Sequence, residues 1–262
     1  SRLTRGMGMG DTDIIFDHDF AALSDRGRVR QQNEDSVGAF PEFGLWVIAD
    51  GMGGHAAGDV ASRIIVEELG STGVPISAQD QRARVQERLA RAHHRILSHS
   101  RDRGLGGAGS TVAALLLHGA ELACVWAGDS RIYLMRDGNL TPLTRDHSEV
   151  ALLVAAGTLT EDQARTAPRR NVITRAIGIG QAVEPDTVSG VIKDGDRLLL
   201  CSDGLTEHLT DAEIAGFVGR RLDAGGVATA LINETLQRGA RDNVSVIVVD
   251  CLALPGEVDE AG

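Results

Sequence analysis

Short apolar runs recur along this chain, and several are separated by only a few residues. Two Asp-Gly pairs, Asp137-Gly138 and Asp194-Gly195, are typical of β-hairpin turns between such runs. Strands joined by hairpins pair in antiparallel fashion, so the pattern differs from a regular alternation of strand and helix. The runs that predict strands are FAALSD, LWVIAD, STVAALLL, ELACVWAG, RIYLMRDG, VITRAIG, RLLLCSDG and NVSVIVVDCL.

Helical periodicity is confined to a few longer segments that lie in blocks between the strands. GDVASRIIVEEL places its apolar residues on one face, and the segment after Ser77 does the same, with Ser77 as its N-cap. Thr210 and Glu213 have the spacing of a capping box, and GVATALINETLQRGA predicts a helix that ends near Gly239. This order favours an α+β fold, a four-layer αββα sandwich of two antiparallel sheets flanked by helices.

Composition narrows the range of partners and compartments. The net charge is −11, which argues against binding nucleic acid or an anionic membrane, because both require clustered basic residues. The three cysteines are widely spaced and form no CxxC, so they predict neither a disulfide framework nor a zinc site. The sequence contains no apolar run of membrane-spanning length and no signal peptide, so we expect a cytoplasmic monomer.

The chain of 262 residues suits one large domain or two small ones, and we find no linker that would divide it. Residues 1–19 and 254–262 are Gly-rich or acidic, and we expect both to be flexible ends around a catalytic domain at 20–253. The segment from Arg145 to Asn171 interrupts the strand pattern with one short apolar helix and a polar stretch that contains proline. A long insertion of this kind predicts a flap beside a functional site.

Four aspartates stand where apolar runs end or begin. Asp50, Asp129 and Asp203 follow such runs, and Asp242 precedes one. Each one alone is well explained as a turn residue. Four carboxylates at the rim of one fold would repel one another, and a hard divalent cation would neutralise them. Ligands that are all oxygen favour Mg²⁺ or Mn²⁺ over zinc or copper.

Two neighbouring features are ambiguous by themselves. The segment Ser24–Asp35 contains three arginines and ends in Glu34-Asp35; it is either a solvated charged loop or a phosphate-binding arginine beside a cation site. The glycines after Asp50 predict a sharp turn there, which is either a simple tight turn, a phosphate loop or half of a cation site.

Taken in order, these residues resemble the metal-dependent Ser/Thr protein phosphatases, the PPM or type 2C family, in their bacterial form. The resemblance covers roughly Phe20 to Leu252, and the ordered set is far more specific than any one motif. The matching motifs are SDxGxVRxxNED from Ser24, ADGMGGH from Ala49, GST from Gly109, GDSR from Gly128, DHS from Asp146, SDGL from Ser202 and RDNV from Arg241.

The resemblance implies a fold, an activity and a set of roles. It implies two face-to-face antiparallel sheets and hydrolysis of phosphoserine or phosphothreonine in proteins, opposing a bacterial Ser/Thr kinase. It also implies two Mn²⁺ or Mg²⁺ ions, with the further ligands of a third ion seen in bacterial members. In the implied metal site, Asp50 bridges two ions, the Gly51 carbonyl is a ligand of the second ion, and Asp203 and Asp242 are ligands of the first. Asp129 and Asp203 are the implied ligands of the third ion, and Glu34 and Asp35 act through bound water. Arg30 is implied to hold the substrate phosphate.

One position departs from the best-known animal pattern, in which a histidine proposed as general acid directly follows the Asp-Gly pair. Here Met52 stands there, and the nearest histidine is His55. His55 either protonates the leaving group or caps the following helix, and we favour the structural role.

Other function classes were weighed against this hypothesis. A catalytically weak phospho-binding regulatory module on the same fold is disfavoured because Arg30, Asp50, Asp203 and Asp242 are all present. A two-metal nuclease or nucleotide hydrolase would use a similar acid cluster, but the sequence has no evident basic groove. A dinucleotide site at the glycines from Gly51 is weak, because their spacing is not GxGxxG.

Overall fold

The computed structural model describes residues 15–53, 57–104 and 107–254, which form two antiparallel sheets. The first sheet has the order β1 (Phe16–Asp25), β11 (Val244–Ala253), β10 (Arg197–Cys201), β7 (Arg131–Arg136) and β8 (Asn139–Pro142). The second has the order β2 (Asp35–Phe40), β3 (Leu45–Met52), β5 (Val112–His118), β6 (Glu121–Ala127) and β9 (Asp186–Val191), with β4 (Gly109–Ser110) beside the end of β3.

Helices cover the outer face of each sheet. The helices α1 (Ala57–Leu69) and α2 (Ala78–Asp102) pack on the second sheet, and α5 (Asp203–Thr206), α6 (Asp211–Val218) and α7 (Ala224–Gln237) pack on the first. Two short helices, α3 (Glu149–Ala155) and α4 (Glu161–Thr166), lie in the segment between β8 and β9. The predicted αββα sandwich is therefore confirmed.

The apolar runs are nearly continuous because their strands are buried on both faces. In β3, Trp46 and Ile48 point into the layer between the two sheets, whereas Val47 and Ala49 face the helices α1 and α2. All four side chains are fully buried. No helix among the described residues is both long and apolar enough to cross a membrane.

The predicted helix signals appear in the structure as capping interactions. The Ser77 hydroxyl accepts the Asp80 N–H at 3.1 Å at the start of α2. Thr210 and Glu213 form the reciprocal capping box of α6. The helix α7 ends at Gln237, and Gly239 adopts a φ of 106°, which glycine allows without strain.

Some local predictions were wrong. The run from Val172 to Gly178 makes only isolated bridges, because it forms the return of the segment that begins at Arg145 and pairs with no complete strand. Asp194-Gly195 is not a hairpin turn, since it joins β9 and β10, which lie in different sheets. The first strand begins at Phe16, before the predicted boundary at 20, because its early residues pair with the end of β11. The Arg145–Asn171 segment holds two helices where one was expected.

Candidate metal centre and phosphate site

The predicted carboxylates meet because strand ends from both sheets converge at one end of the sandwich. The strands β3, β6 and β10 end there, and β2, β5 and β11 begin there. Asp35 lies opposite Asp50 in the register of β2 and β3. Residues that are about two hundred positions apart in the sequence therefore become neighbours. For example, the Glu34 N–H donates to the Asn243 side-chain oxygen at 2.8 Å.

Asp50 stands at the centre of this cluster. Burial raises its pKa well above the usual range, and the charges of Asp35 and Asp203 raise it further. Its backbone is fixed by Thr111, whose hydroxyl accepts the Asp50 N–H at 3.0 Å and whose N–H donates to the Asp50 carbonyl at 2.9 Å. Thr111 also shares a 2.8 Å hydrogen bond with Ser130, beside Asp129.

Asp203 and Asp129 lie together beside this centre. Asp203 begins α5, and burial followed by the charge of Asp129 raises its pKa well above the usual range. Its Oδ1 atom is buried and has no hydrogen-bond partner among the described residues. Burial raises the pKa of Asp129 to about 7, and the nearby carboxylate of Asp146 contributes.

The two consecutive acids Glu34 and Asp35 have different surroundings. One oxygen of Asp35 accepts the hydroxyls of Ser202 at 2.8 Å and Ser245 at 2.6 Å, yet burial still raises the pKa of Asp35 to about 6. Burial also raises the pKa of Glu34, although the charge of Arg30 opposes that shift. Asp35 is thus held by Ser245 on β11 and by Ser202, which follows β10 and precedes α5.

Gly51 is required for a reason that differs from the predicted sharp turn. The strand β3 continues through Met52, with Gly51 opposite Ser110, so the chain does not turn at Asp50. A Cβ atom on Gly51 would lie 2.0 Å from the carbonyl oxygen of Gly58. The glycine therefore allows α1 to approach the end of β3 closely. Gly53, which follows β3, has a φ of 134°, a conformation that glycine adopts without strain.

Arg30 and Asp242 form an ion pair at the mouth of the site. The Arg30 Nη2 atom donates to Asp242 Oδ2 at 2.6 Å, and the Arg30 side chain is 51% exposed. This hydrogen bond raises the pKa of Arg30, and the charges of Glu34 and Asp50 add to the effect. The other oxygen of Asp242 accepts the Asn243 N–H at 2.8 Å.

The donor set fits a hard divalent cation. It consists of oxygen atoms, one of which, Asp203 Oδ1, is buried without a partner, and the raised pKa values show carboxylates whose charges are not balanced by the protein. Among the described residues, no three His, Cys, Asp or Glu side chains already converge closely enough to enclose an ion. One carboxylate oxygen of Asp242 is occupied by its hydrogen bond with Arg30. His55 lies outside the described residues.

A cavity of about 1020 Å³ adjoins this cluster beneath the Arg145–Asn171 segment. Asp129 and Asp203 line its inner wall, and Arg165 and Asn171 line it from the segment side. Asp50, Arg30 and Asp242 do not line it, so the cavity reaches the Asp129 and Asp203 side of the cluster.

Sequence reasoning gave no role to several residues that shape the site. Thr111 and Asn243 stand inside the motifs GST and RDNV. Ser202 follows β10 and directly precedes Asp203, and Ser245 lies on β11, three residues after Asp242. Their positions in ordered motifs were the available signal, but only the register of the sheets shows what they contact.

Comparison with known proteins gives one family. The family model of protein phosphatase 2C matches residues 21–244. The serine/threonine protein phosphatase PstP of Mycobacterium tuberculosis is 40% identical over 232 residues, which are 88% of this chain and 44% of that protein. The serine/threonine phosphatase stp of Listeria monocytogenes serotype 4b is 34% identical over 235 residues, 87% of this chain and 93% of that protein. This chain thus spans less than half the length of PstP.

Solved structures agree in fold. The catalytic domain of PstP in complex with two manganese ions has a TM-score of 0.83 and 38% identity, covering 90% of this chain and 99% of that one. PppA, a regulatory component of the type VI secretion system in Pseudomonas aeruginosa, has a TM-score of 0.83 and 37% identity, covering 90% and 98%. The predicted resemblance is confirmed: this chain belongs to the protein phosphatase 2C family, in its bacterial form.

Proposed function

We propose that this chain hydrolyses phosphoserine and phosphothreonine esters in proteins with the help of Mn²⁺ or Mg²⁺. The observation that carries the proposal is the half-buried cluster of Asp50, Asp203 and Asp129, with Arg30 and Asp242 at its mouth. The PstP structure with two manganese ions supports the choice of cation.

Each residue of the cluster would have a distinct part. Asp50, Asp203 and Asp242, with the Gly51 carbonyl, would hold two cations, and Asp129 with Asp203 would serve a third. Such cations supply an activated water and neutralise charge on the phosphoryl group. Glu34 and Asp35 would orient water, since Asp35 is fixed by Ser202 and Ser245.

Arg30 would bind the phosphate of the substrate. Its guanidinium is half-exposed and, among the described residues, hydrogen-bonds through its side chain to Asp242 alone, so most of its N–H groups remain free for phosphate oxygens. Charge on those oxygens grows in the loose transition state of phosphoryl transfer, so a guanidinium there lowers the barrier.

Exchange of Asp50 for asparagine tests this function. We expect Asp50→Asn to lower hydrolysis of p-nitrophenyl phosphate and of a phosphothreonine peptide by roughly two orders of magnitude or more, because the shared ligand loses its charge. Asp137→Asn, at an exposed turn, is the matched control. Full turnover by the metal-free enzyme in EDTA would contradict the proposal, and binding of phosphopeptide without turnover would favour a regulatory module.

The cellular role follows as part of the same proposal. We infer that the enzyme opposes a Ser/Thr kinase in the cytoplasm as a monomer; its three cysteines are all free and buried, as suits a reducing compartment. A phosphoproteome comparison between cells with the wild-type and Asp50→Asn proteins should show specific phosphosites accumulating in the variant. Unchanged phosphosites would contradict this role.

A further inference from the structure

Three successive residues, Arg145 to His147, contact the loop that carries Asp129 and the ends of the strands β6 and β7 on either side of it. The Arg145 carbonyl accepts the Trp126 ring N–H at 2.8 Å. Asp146 accepts two hydrogen bonds from Arg131, at 2.8 and 2.7 Å. Between them, His147 bonds to Gly128. Two residues of the DHS motif, Asp146 and His147, thus bond to the last and first residues of the GDSR motif, Arg131 and Gly128.

His147 is joined to Gly128 by two hydrogen bonds. The His147 N–H donates to the Gly128 carbonyl at 2.8 Å, and the Gly128 N–H donates to His147 Nδ1 at 3.2 Å. A backbone N–H can only donate, so Nδ1 must be the unprotonated nitrogen of the ring. The proton then lies on Nε2, which donates to Asp186 Oδ2 at 3.1 Å. Asp186 therefore selects the tautomer that holds Gly128.

The same histidine is tied to both ends of the Arg145–Asn171 segment. It lies at the start of that segment, and its carbonyl accepts the Thr174 N–H at 2.8 Å just after the end. Arg175 donates to the second oxygen of Asp186 at 2.7 Å. The His147 ring also stacks on Trp126, with 5.9 Å between centroids. It is therefore buried between the segment and the strand end that leads to Asp129.

The opposite side of the Asp129 loop is fixed by Thr111. A Cβ atom on Gly128 would lie 2.6 Å from the Thr111 side chain, and Ser130 bonds to the Thr111 hydroxyl. The loop is therefore held between Thr111, which fixes Asp50, and His147, which fixes the segment above the cavity. Asp129 itself has no comparable side-chain bond among the described residues, so its place depends on this backbone.

We propose that His147 is a positioning residue, which sets the place of Asp129 by fixing the Gly128 peptide to both ends of the Arg145–Asn171 segment. The consequence for cation binding rests on the proposed function, because Asp129 is there a ligand of the third cation. The hydrogen bond between Gly128 and His147 Nδ1, and not the burial of the His147 ring alone, positions Asp129.

Two variants separate the bonds of the ring. His147→Asn places an amide oxygen near the position of Nδ1, so it keeps an acceptor for Gly128 and loses the bond to Asp186. His147→Gln places its amide nitrogen near Nε2, so it keeps the donor to Asp186 and loses the acceptor. Both remove the ring and its stacking on Trp126, so a merely structural role predicts equal effects.

The first measurement is amide hydrogen exchange of the metal-free proteins. We expect exchange at Gly128 to be about five- to tenfold faster in His147→Gln than in His147→Asn, the change that loss of one ordinary hydrogen bond produces. Equal exchange at Gly128 in the two variants would overturn the proposal.

The second measurement is calorimetric Mn²⁺ titration of the same proteins. We expect the weakest class of sites to lose at least about fivefold in affinity in His147→Gln only, with the tighter classes unchanged. Loss of affinity in every class, or in neither variant, would overturn the link to Asp129. If the wild type fails to hydrolyse phosphoesters, the phosphatase proposal fails, while exchange at Gly128 still decides the role of His147.

Discussion

At the scale of single residues, the site depends on glycines whose missing Cβ lets backbones meet. A Cβ atom on Gly204 would lie 1.9 Å from the Asn243 carbonyl oxygen, so α5 can approach β11 only with glycine there. Neighbouring Asp203 owes its position to this approach. The SDGL motif placed a glycine after the acid, but a sequence does not show what lies across from it.

Gly204→Ala should therefore destabilise the protein by more than about 2 kcal/mol. The added methyl group would clash with the Asn243 backbone, which cannot move away as a flexible side chain can. Gly216→Ala is the matched control: Gly216 lies in α6 with no atom within 4 Å of the added Cβ, and alanine there should stabilise by up to about 1 kcal/mol. Urea denaturation measures both. Equal stability of the two variants would show that the close approach at Gly204 is not needed.

At the scale of elements, one side chain organises the loop that carries Arg30. Asn243 donates to the carbonyls of Arg26 at 2.8 Å and Gln32 at 2.9 Å, and its oxygen accepts the Glu34 N–H. The Asn243 amide thus fixes the loop between β1 and β2 to the start of β11. The apolar run FAALSD predicted the strand before this loop, but β2 after it was not predicted, and no local pattern describes an irregular loop held from a distant strand.

Asn243→Asp should loosen this loop, because a carboxylate oxygen would replace the amide donor and face two carbonyl oxygens. We expect a loss of about 1–3 kcal/mol in stability and a raised KM for a phosphopeptide, since Arg30 is no longer held in place. Asn233→Asp adds the same charge at an exposed position of α7, where the side chain makes no hydrogen bond among the described residues, and should change neither value. An unchanged KM in Asn243→Asp, measured with saturating Mn²⁺, would contradict this role.

At the scale of the whole molecule, converging strand ends crowd carboxylates together at a cost in stability. The folded pKa of Asp129 is about 7, above its ordinary value of 3.8. An acid whose pKa rises on folding favours the folded state in its protonated form. Its contribution is present in full below about pH 4 and is lost as the pH rises through about 7.

The metal-free wild type should therefore lose stability relative to Asp129→Asn between about pH 4 and 7. The loss is at most about 1.4 kcal/mol per pH unit, and less where solvent reaches this half-buried carboxyl. Urea unfolding in EDTA at several pH values gives the difference, with Asp137→Asn as the control at an exposed turn. A difference that does not vary with pH would show that Asp129 titrates normally in the folded protein.

The sequence by itself determined the class of fold and the family, because apolar runs, capping residues and ordered motifs are local patterns, and it predicted which acids would form the site. It could not determine that VITRAIG is no strand or that Gly51 serves a close approach, since both depend on what packs opposite. Likewise, only the tertiary structure brought His147 to Gly128 and Asn243 to the Arg30 loop. Hydrogen bonds act over about 3 Å, and these partners become neighbours only when the two sheets stack.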